Sequence, residues 1–183
     1  SLLRGSRPNI ELQVSRVESS AWDIFKKHHY MSDKVNKAYI HLLFTWSNKP
    51  IAIAVIGRQI GRGVGLAYRD SRIVVLPDFQ GMSIGTSISN FTASIFKSIG
   101  ARYFTKTIHP ALGEYRNKNT NIWKPTAFNG KIRNKVNAKE NIYTSIKLRA
   151  SYCHEYIGKP LHGYKHILLP IKQMRETNTL KLF

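Results

Sequence analysis

Apolar and polar residues alternate from Ile10 to Val17, with Ile10, Leu12 and Val14 on one side, and a period of two predicts a strand. Ser19-Ser20 then offers a cap for a helix over Ala21–His29, whose Trp22 and Phe25 face inward. Lys37–Trp46 and Ile51–Ile56 read as two strands joined by the turn Ser47-Asn48-Lys49-Pro50, a hairpin. A fourth strand, Arg72-Ile73-Val74-Val75-Leu76, is β-branched and stops at Pro77. After the turn Asp78–Ser83, a helix is expected from Ile84 to Gly100. Its apolar positions Ile84, Ile88, Phe91, Ile95 and Ile99 recur at steps of three or four and form one face. Arg102–Ile108 predicts a fifth strand and Ala111–Lys118 a short helix, after which Trp123-Lys124-Pro125 breaks the pattern.

Asn141–Leu148 alternates as a sixth strand, which Tyr152–Tyr156 extends or leaves by a bend. Tyr164–Leu169, closed by Pro170, predicts a seventh strand, and the tail 170–183 is undetermined. Residues 1–9 read as a flexible lead and 10–183 as a single domain. The order β-α-β-β-β-α-β-α-β-β predicts an α/β (α+β) fold, a mixed central sheet of about seven strands with helices on both faces. No internal repeat interrupts it.

Charge changes the picture most. The 183 residues carry 29 Lys and Arg against 10 Asp and Glu, a formal net charge of +19. Small soluble domains usually stay within about eight charges of neutrality. An excess of this size attracts polyanions and predicts salt-sensitive binding to nucleic acid. Cys153 is the one cysteine, which excludes a disulfide framework and makes a reducing cytoplasm the expected compartment. No apolar run approaches the roughly 20 residues a membrane span needs, no signal peptide is visible, and no membrane partner is expected. Gly57, Gly61, Gly63 and Gly65, interleaved with Arg58 and Arg62, form a basic loop that is not a P-loop, since no Gly-Lys-Ser/Thr follows. Residues 129–139 read as a second exposed basic loop. Both a monomer and a homodimer are open.

A strand leading through a tight loop into a helix aims unpaired N–H groups and a positive dipole end at the space before that helix, a setting that suits phosphate. Here the loop is Gln80-Gly81-Met82-Ser83-Ile84-Gly85. With its flanking strand and helix it resembles the acyl-CoA-binding core of the GNAT acetyltransferase superfamily, whose loop reads Gln/Arg-x-x-Gly-x-Gly/Ala. Gln80 and Gly85 fit the pattern. Ser83 stands where the family has its first glycine, and a serine there can cap the helix or bond a phosphate. The resemblance covers roughly residues 10–169. It implies acetyl-CoA or another acyl-CoA as cofactor, held by Gln80, Gly81, Met82, Ser83, Ile84, Gly85 and Thr86. It also implies that the strand Ile73–Leu76 splays from Tyr103–Ile108, so that the backbone of Val74, Val75 and Leu76 binds the pantetheine.

Acyl transfer to an amine needs a positioned donor, a base for the amine and a proton for the leaving thiolate. The resemblance matches Tyr115 to the tyrosine that gives this proton. A tyrosine merely packed under its helix is the alternative. His109 stands at a common asparagine position, where it bonds the cofactor, acts as a base or only closes the strand. His28, His29 and Tyr30 fall on the acceptor side and, with Ser32, form a candidate base cluster, His29 being preferred. A solvated helix end is the alternative there. Asp70, Asp78 and Glu114 are the acids near the cleft; in so basic a chain such acids pair with arginine, and Asp78 is the candidate to orient a base. Trp46, Trp123 and Tyr143 are candidates to stack on bases beside the basic loops, with core packing the expected role for most of them. A zinc site is not expected from these histidines, and no metal is assigned.

The His-His-Tyr segment and the charge also look similar to phage Mom-type proteins, which modify adenine in DNA. That resemblance implies an acyl-CoA-dependent acyltransferase acting on an amino group of a DNA base, presented single-stranded or flipped. DNA is favoured over tRNA. The alternatives are a toxin-like acetyltransferase acting on aminoacyl-tRNA and a non-catalytic GNAT domain that binds nucleic acid.

Overall fold

The computed structural model describes residues 10–29, 34–131, 150–171 and the backbone of 178–181. Among the described residues eight strands form one mixed sheet: β1 (Glu11–Val17), β2 (Ile40–Trp46), β3 (Lys49–Arg58), β4 (Ala67–Val75), β5 (Arg102–Thr107), β6 (Trp123–Pro125), β7 (Tyr152–Tyr156) and β8 (Asn178–Lys181). Their order is β6-β7-β5-β4-β3-β2-β1-β8. Neighbours are antiparallel except β4 and β5. A parallel pair needs a crossover. Helix α1 (Ile84–Ser98) supplies it, and α2 (Pro110–Lys118) follows β5.

Strand alternation sorts β3 into two faces. Ala52, Ala54 and Ile56 share a core with Ile84, Ile88, Phe91 and Ile95 of α1, while Ile53 and Val55 pack with Trp22, Phe25 and Val74 on the other side. Helical elements therefore cover both faces, as the pattern predicts. Four of the five expected positions of α1 are buried. Ile99 is the exception, 37% exposed, because the helix ends at Ser98. Gly100 stops it at φ +77°, and the N–H groups of Gly100 and Ala101 bond back to Lys97 O and Phe96 O, the double closure of a Schellman motif.

The expected helix Ala21–His29 is instead two 3-10 turns, Ser19–Ile24 and Lys26–His28. Trp22 and Phe25 are three apart, and three residues per turn stack both on the sheet. The expected strand Tyr164–Leu169 is a 3-10 turn over Lys165–Leu168. Ile167 plugs the core, and Arg16 donates to the Leu168 and Leu169 carbonyls, which removes them from any ladder. Trp123–Pro125 pairs as edge strand β6, and Tyr152–Tyr156 becomes β7 between β5 and β6. The undetermined tail contains β8, which pairs with β1. The lead 1–9 and the strand expected at Asn141–Leu148 lie outside the described residues. Among the described residues no helix is long and apolar enough to cross a membrane.

Candidate active site

The parallel ladder between β4 and β5 is short: Ala67 faces Arg102, Tyr68 faces Tyr103 and Arg69 faces Phe104. Beyond that point β4 stays paired with β3 as far as Val75 but leaves β5. The cause is local. Val55 lies opposite Arg72 and Ile56 opposite Asp70, so Ser71 is one residue too many and makes a β-bulge. A bulge bends its strand and increases its twist, and this one sits just past the last β4–β5 pair. Asp70 fixes the fork. Its carboxylate faces Arg116 Nη2 at 3.4 Å, on α2, the helix that follows β5. Burial holds the Asp70 carboxyl above its ordinary range, and the Arg116 charge opposes that rise.

Beyond the bulge, Leu76 N–H bonds Ile51 O on β3. Antiparallel alternation then turns the peptide groups of Val74 toward β3 as well, and those of Ile73 and Val75 toward the open edge. Of the three backbones expected to bind pantetheine, only that of Val75 faces the gap. Ile73 joins it.

Next, Gln80 Nε2 donates to Val75 O at 2.9 Å and folds the loop against the end of β4. Gly81 (φ +82°) and Ser83 (φ +61°) both take left-handed conformations. Ser83 is the N-cap residue of α1, yet its hydroxyl makes no cap bond, contrary to expectation. The first helical acceptor, Ser83 O, is taken by Ser87 N–H at 3.1 Å. The N–H groups of Ile84, Gly85 and Thr86 precede it and have no partner within the helix. A Cβ on Gly85 would meet only Val75 Cγ2, at 3.7 Å, an ordinary contact. Packing inside the protein does not require a glycine there.

Loop, helix start and fork enclose a cavity of about 760 Å³. Its wall includes Val74, Val75, Gln80, Gly81, Ser83, Ile84, Gly85 and Thr86 from the expected cofactor set, and His29, His109 and Tyr115 from the expected chemical set. Leu76 packs beside the Trp22 cluster and Met82 against the main core instead. Asp78 is exposed and stands off the wall. Tyr30 and Ser32 lie outside the described residues. The wall also contains Asp70, Ser71, Arg72, Ile73, Lys106 and Thr107. Asp70 is one of the acids expected near the cleft, and Arg72, Ile73, Lys106 and Thr107 lie on the fourth and fifth predicted strands; Ser71 alone falls outside the predicted elements, because the polar run before Arg72 conceals the start of β4.

His29 sits edge-on to Trp22, with ring centroids 5.7 Å apart. Burial and the nearby Arg72 charge lower its pKa to about 4, so its ring is neutral at neutral pH. Tyr115 Oη accepts a hydrogen bond from Asn90 Nδ2 at 2.7 Å. Asn90 Oδ1 in turn accepts from Trp123 Nε1 at 2.9 Å. The wall carries Arg72, Lys106 and three histidines, His28, His29 and His109, against one acid, Asp70, whose charge Arg116 already matches.

This fold, a fork in a mixed sheet beside a loop and helix N-terminus, is that of the GNAT N-acetyltransferases. The Bacillus subtilis acetyltransferase solved with CoA aligns with a TM-score of 0.58 at 11% identity, over 82% of this chain and 99% of that one. The ribosomal-protein-S18-alanine N-acetyltransferase of Escherichia coli aligns at 0.54 and 16% identity, over 84% and 97%. A GNAT family acetyltransferase from Elizabethkingia anophelis, solved with acetyl-CoA bound, aligns at 0.54 and 14%, over 79% and 95%. No protein-family model and no curated protein sequence matches the chain.

Proposed function

We propose that this protein is an acyl-CoA-dependent N-acyltransferase whose acceptor is an amino group of a nucleic acid, a DNA base before an aminoacyl-tRNA. The fork between β4 and β5, opening onto the Gly81–Gly85 loop, carries the reading. A strand that abandons its neighbour leaves backbone donors and acceptors on an open edge. Ile73 and Val75 would hold the pantetheine amides in place of the lost strand. The N–H groups of Ile84, Gly85 and Thr86, where the dipole of α1 is positive, would hold the diphosphate. Gly85 leaves the helix start bare for it.

Acyl-CoA supplies an activated acyl group as a thioester. The chain's residues handle the protons. His29, neutral and half-buried, takes the proton lost by the acceptor amine as the N–C bond forms. Tyr115 gives its hydroxyl proton to the sulfur as the C–S bond breaks. Return of one proton to Tyr115 and loss of one from His29 restores both groups, so the products are the N-acyl acceptor and CoA thiol.

The wall supports an anionic acceptor. Arg72 and Lys106 flank the fork, while the one acid is compensated, and the whole chain carries +19. The neighbouring Escherichia coli enzyme is named for a protein substrate, and at this sequence distance that name does not choose the acceptor here. Two measurements test the proposal. Calorimetry with CoA should show binding, and none at millimolar CoA would remove the cofactor reading. Mass spectrometry of nucleosides from DNA and tRNA incubated with protein and acetyl-CoA should show an acylated species from DNA. An N-acylated aminoacyl-adenosine released from charged tRNA, with no product from DNA, would move the acceptor to aminoacyl-tRNA, and CoA binding without product from either would overturn the nucleic-acid acceptor.

A further inference from the structure

Three side chains from three elements form a chain that ends at the cavity. Trp123 on β6 is fully buried, and its Nε1–H reaches Asn90 Oδ1 on α1. Asn90 Nδ2 reaches Tyr115 Oη on α2, and Tyr115 lines the cavity. The direction of these bonds follows from chemistry. An indole N–H only donates, so the Asn90 atom facing it is the amide oxygen. The atom facing Tyr115 is then the amide nitrogen, which also only donates. Tyr115 must accept through its oxygen, and its own hydrogen is left for a different partner.

We infer that Trp123 and Asn90 are positioning residues that force the Tyr115 hydroxyl to act as a donor toward the cavity. The proposal rests on the reading of Tyr115 as the group that protonates the departing sulfur, and explains how a fixed environment aims that proton. Trp123 is itself held. Arg116 stacks over its ring at 4.9 Å, and Tyr156 meets it edge-on at 5.1 Å between centroids. The indole therefore cannot turn its N–H away without breaking the packing around α2.

The test exchanges one atom type. Asn90→Asp keeps the size and the bond from Trp123, but its second oxygen accepts where the amide donated. Tyr115 must then give its proton to Asp at position 90 and present only lone pairs to the cavity. Infrared difference spectra between each protein and its Tyr115→Phe counterpart isolate the phenolic C–O band, whose position separates a donating from an accepting hydroxyl. We expect that band to move between wild type and Asn90→Asp. We also expect CoA release from acetyl-CoA with DNA or tRNA to fall at least tenfold, while CoA affinity by calorimetry stays within twofold. Trp123→Phe, which frees the Asn90 amide to rotate, should move the same band in the same direction by less. An unmoved band in a folded Asn90→Asp protein overturns the proposal, as does full turnover. A moved band in a protein whose wild type transfers no acyl group upholds the wiring and removes the acyl-transfer reading instead.

Discussion

Asp70 and Arg116 meet inside the protein at 3.4 Å, with none of the Arg116 side chain exposed. Arg116 also donates to Ser89 Oγ at 2.8 Å. One buried pair thus ties α2 and α1 to β4 at the fork. Removing one partner of a buried pair typically costs roughly 3–5 kcal/mol, because the other charge is left uncompensated. Arg116→Met should lose about that much in denaturant unfolding. Adding Asp70→Asn should restore at least half, since asparagine keeps the shape of the side chain without the charge. Equal stability of the single and double variants would show that Asp70 carries no uncompensated charge in the single one.

Ser83 occupies a left-handed conformation, φ +61°, at the start of α1. A side chain there costs roughly 1 kcal/mol relative to glycine. The Ser83 hydroxyl makes no cap bond that would offset this. Ser83→Gly is therefore expected to raise the melting temperature by a few degrees, about what 1 kcal/mol provides in a chain of this size. A lower melting temperature would mean that the serine contributes more than its conformation costs.

Gly85 separates binding from folding. It lies in the first turn of α1, where a methyl group would meet Val75 at 3.7 Å without conflict. Glycine inside a helix is less favourable than alanine by roughly 0.5–1 kcal/mol. Gly85→Ala should keep or slightly raise stability and keep CoA binding, whereas Gly85→Glu should abolish CoA binding by adding bulk and negative charge. Wild-type affinity in Gly85→Glu would place the diphosphate elsewhere.

These residues also mark where sequence reading succeeds. Helix α1 was legible because five apolar residues at helical spacing sit between a strand and a glycine stop, and four of them are buried. The hairpin of β2 and β3 was legible for the same kind of reason. The fork was not. Its bulge exists only as a mismatch between Ser71 and the register of β3, and no local pattern encodes a register. Asp70 reads as an acid near the cleft that pairs with arginine, as it does with Arg116, but Arg69-Asp70-Ser71 carries no apolar alternation, so the sequence leaves the first half of β4 unassigned. Trp22 and Phe25 fit a helix and a 3-10 turn equally well over so short a span. Within the loop, residue types pointed to Gln80, Ser83 and Gly85, but which peptide groups of β4 face the gap depends on pairing with β3, and so Ile73 was missed.

Protonation should destabilise the fold as acid is added. His154 is fully buried, its Nε2 bonded to Asn117 Oδ1 at 2.8 Å, and burial, helped by the Arg116 charge, lowers its pKa from 6.5 to about 4. The unfolded chain binds this proton near 6.5 and the folded one does not. The stabilisation is complete above pH 6.5 and is lost as pH falls toward 4, reaching at most about 3 kcal/mol for this one ring. Unfolding free energies at pH 7 and pH 5 should differ in that sense, and His154→Gln should flatten the difference. His29 is lowered to about 4 as well, so the acid limb of kcat/KM is expected near pH 4 rather than 6.5. A limb at 6.5 would argue that another group takes the amine proton.

The acceptor reading stands on charge, and charge has its own signature. A protein that neutralises phosphates releases their counterions, so affinity falls steeply with salt. For 6–10 phosphate contacts the loss is about 10³–10⁵ between 50 and 200 mM. Binding to single-stranded DNA, followed by fluorescence anisotropy, should show a slope in this range. Arg72→Glu and Lys106→Glu change charges on the cavity wall itself. Arg58→Glu and Arg62→Glu change charges at the end of β3 and on the loop that follows it, neither of which the cavity wall includes. If nucleic acid enters the fork to present an amine, the first pair should reduce both affinity and product. The second pair should reduce affinity while leaving product per bound complex unchanged. Equal loss of affinity from both pairs, with product from neither changed at saturating DNA, would mean that nucleic acid only coats a basic surface and that the amine comes from another source.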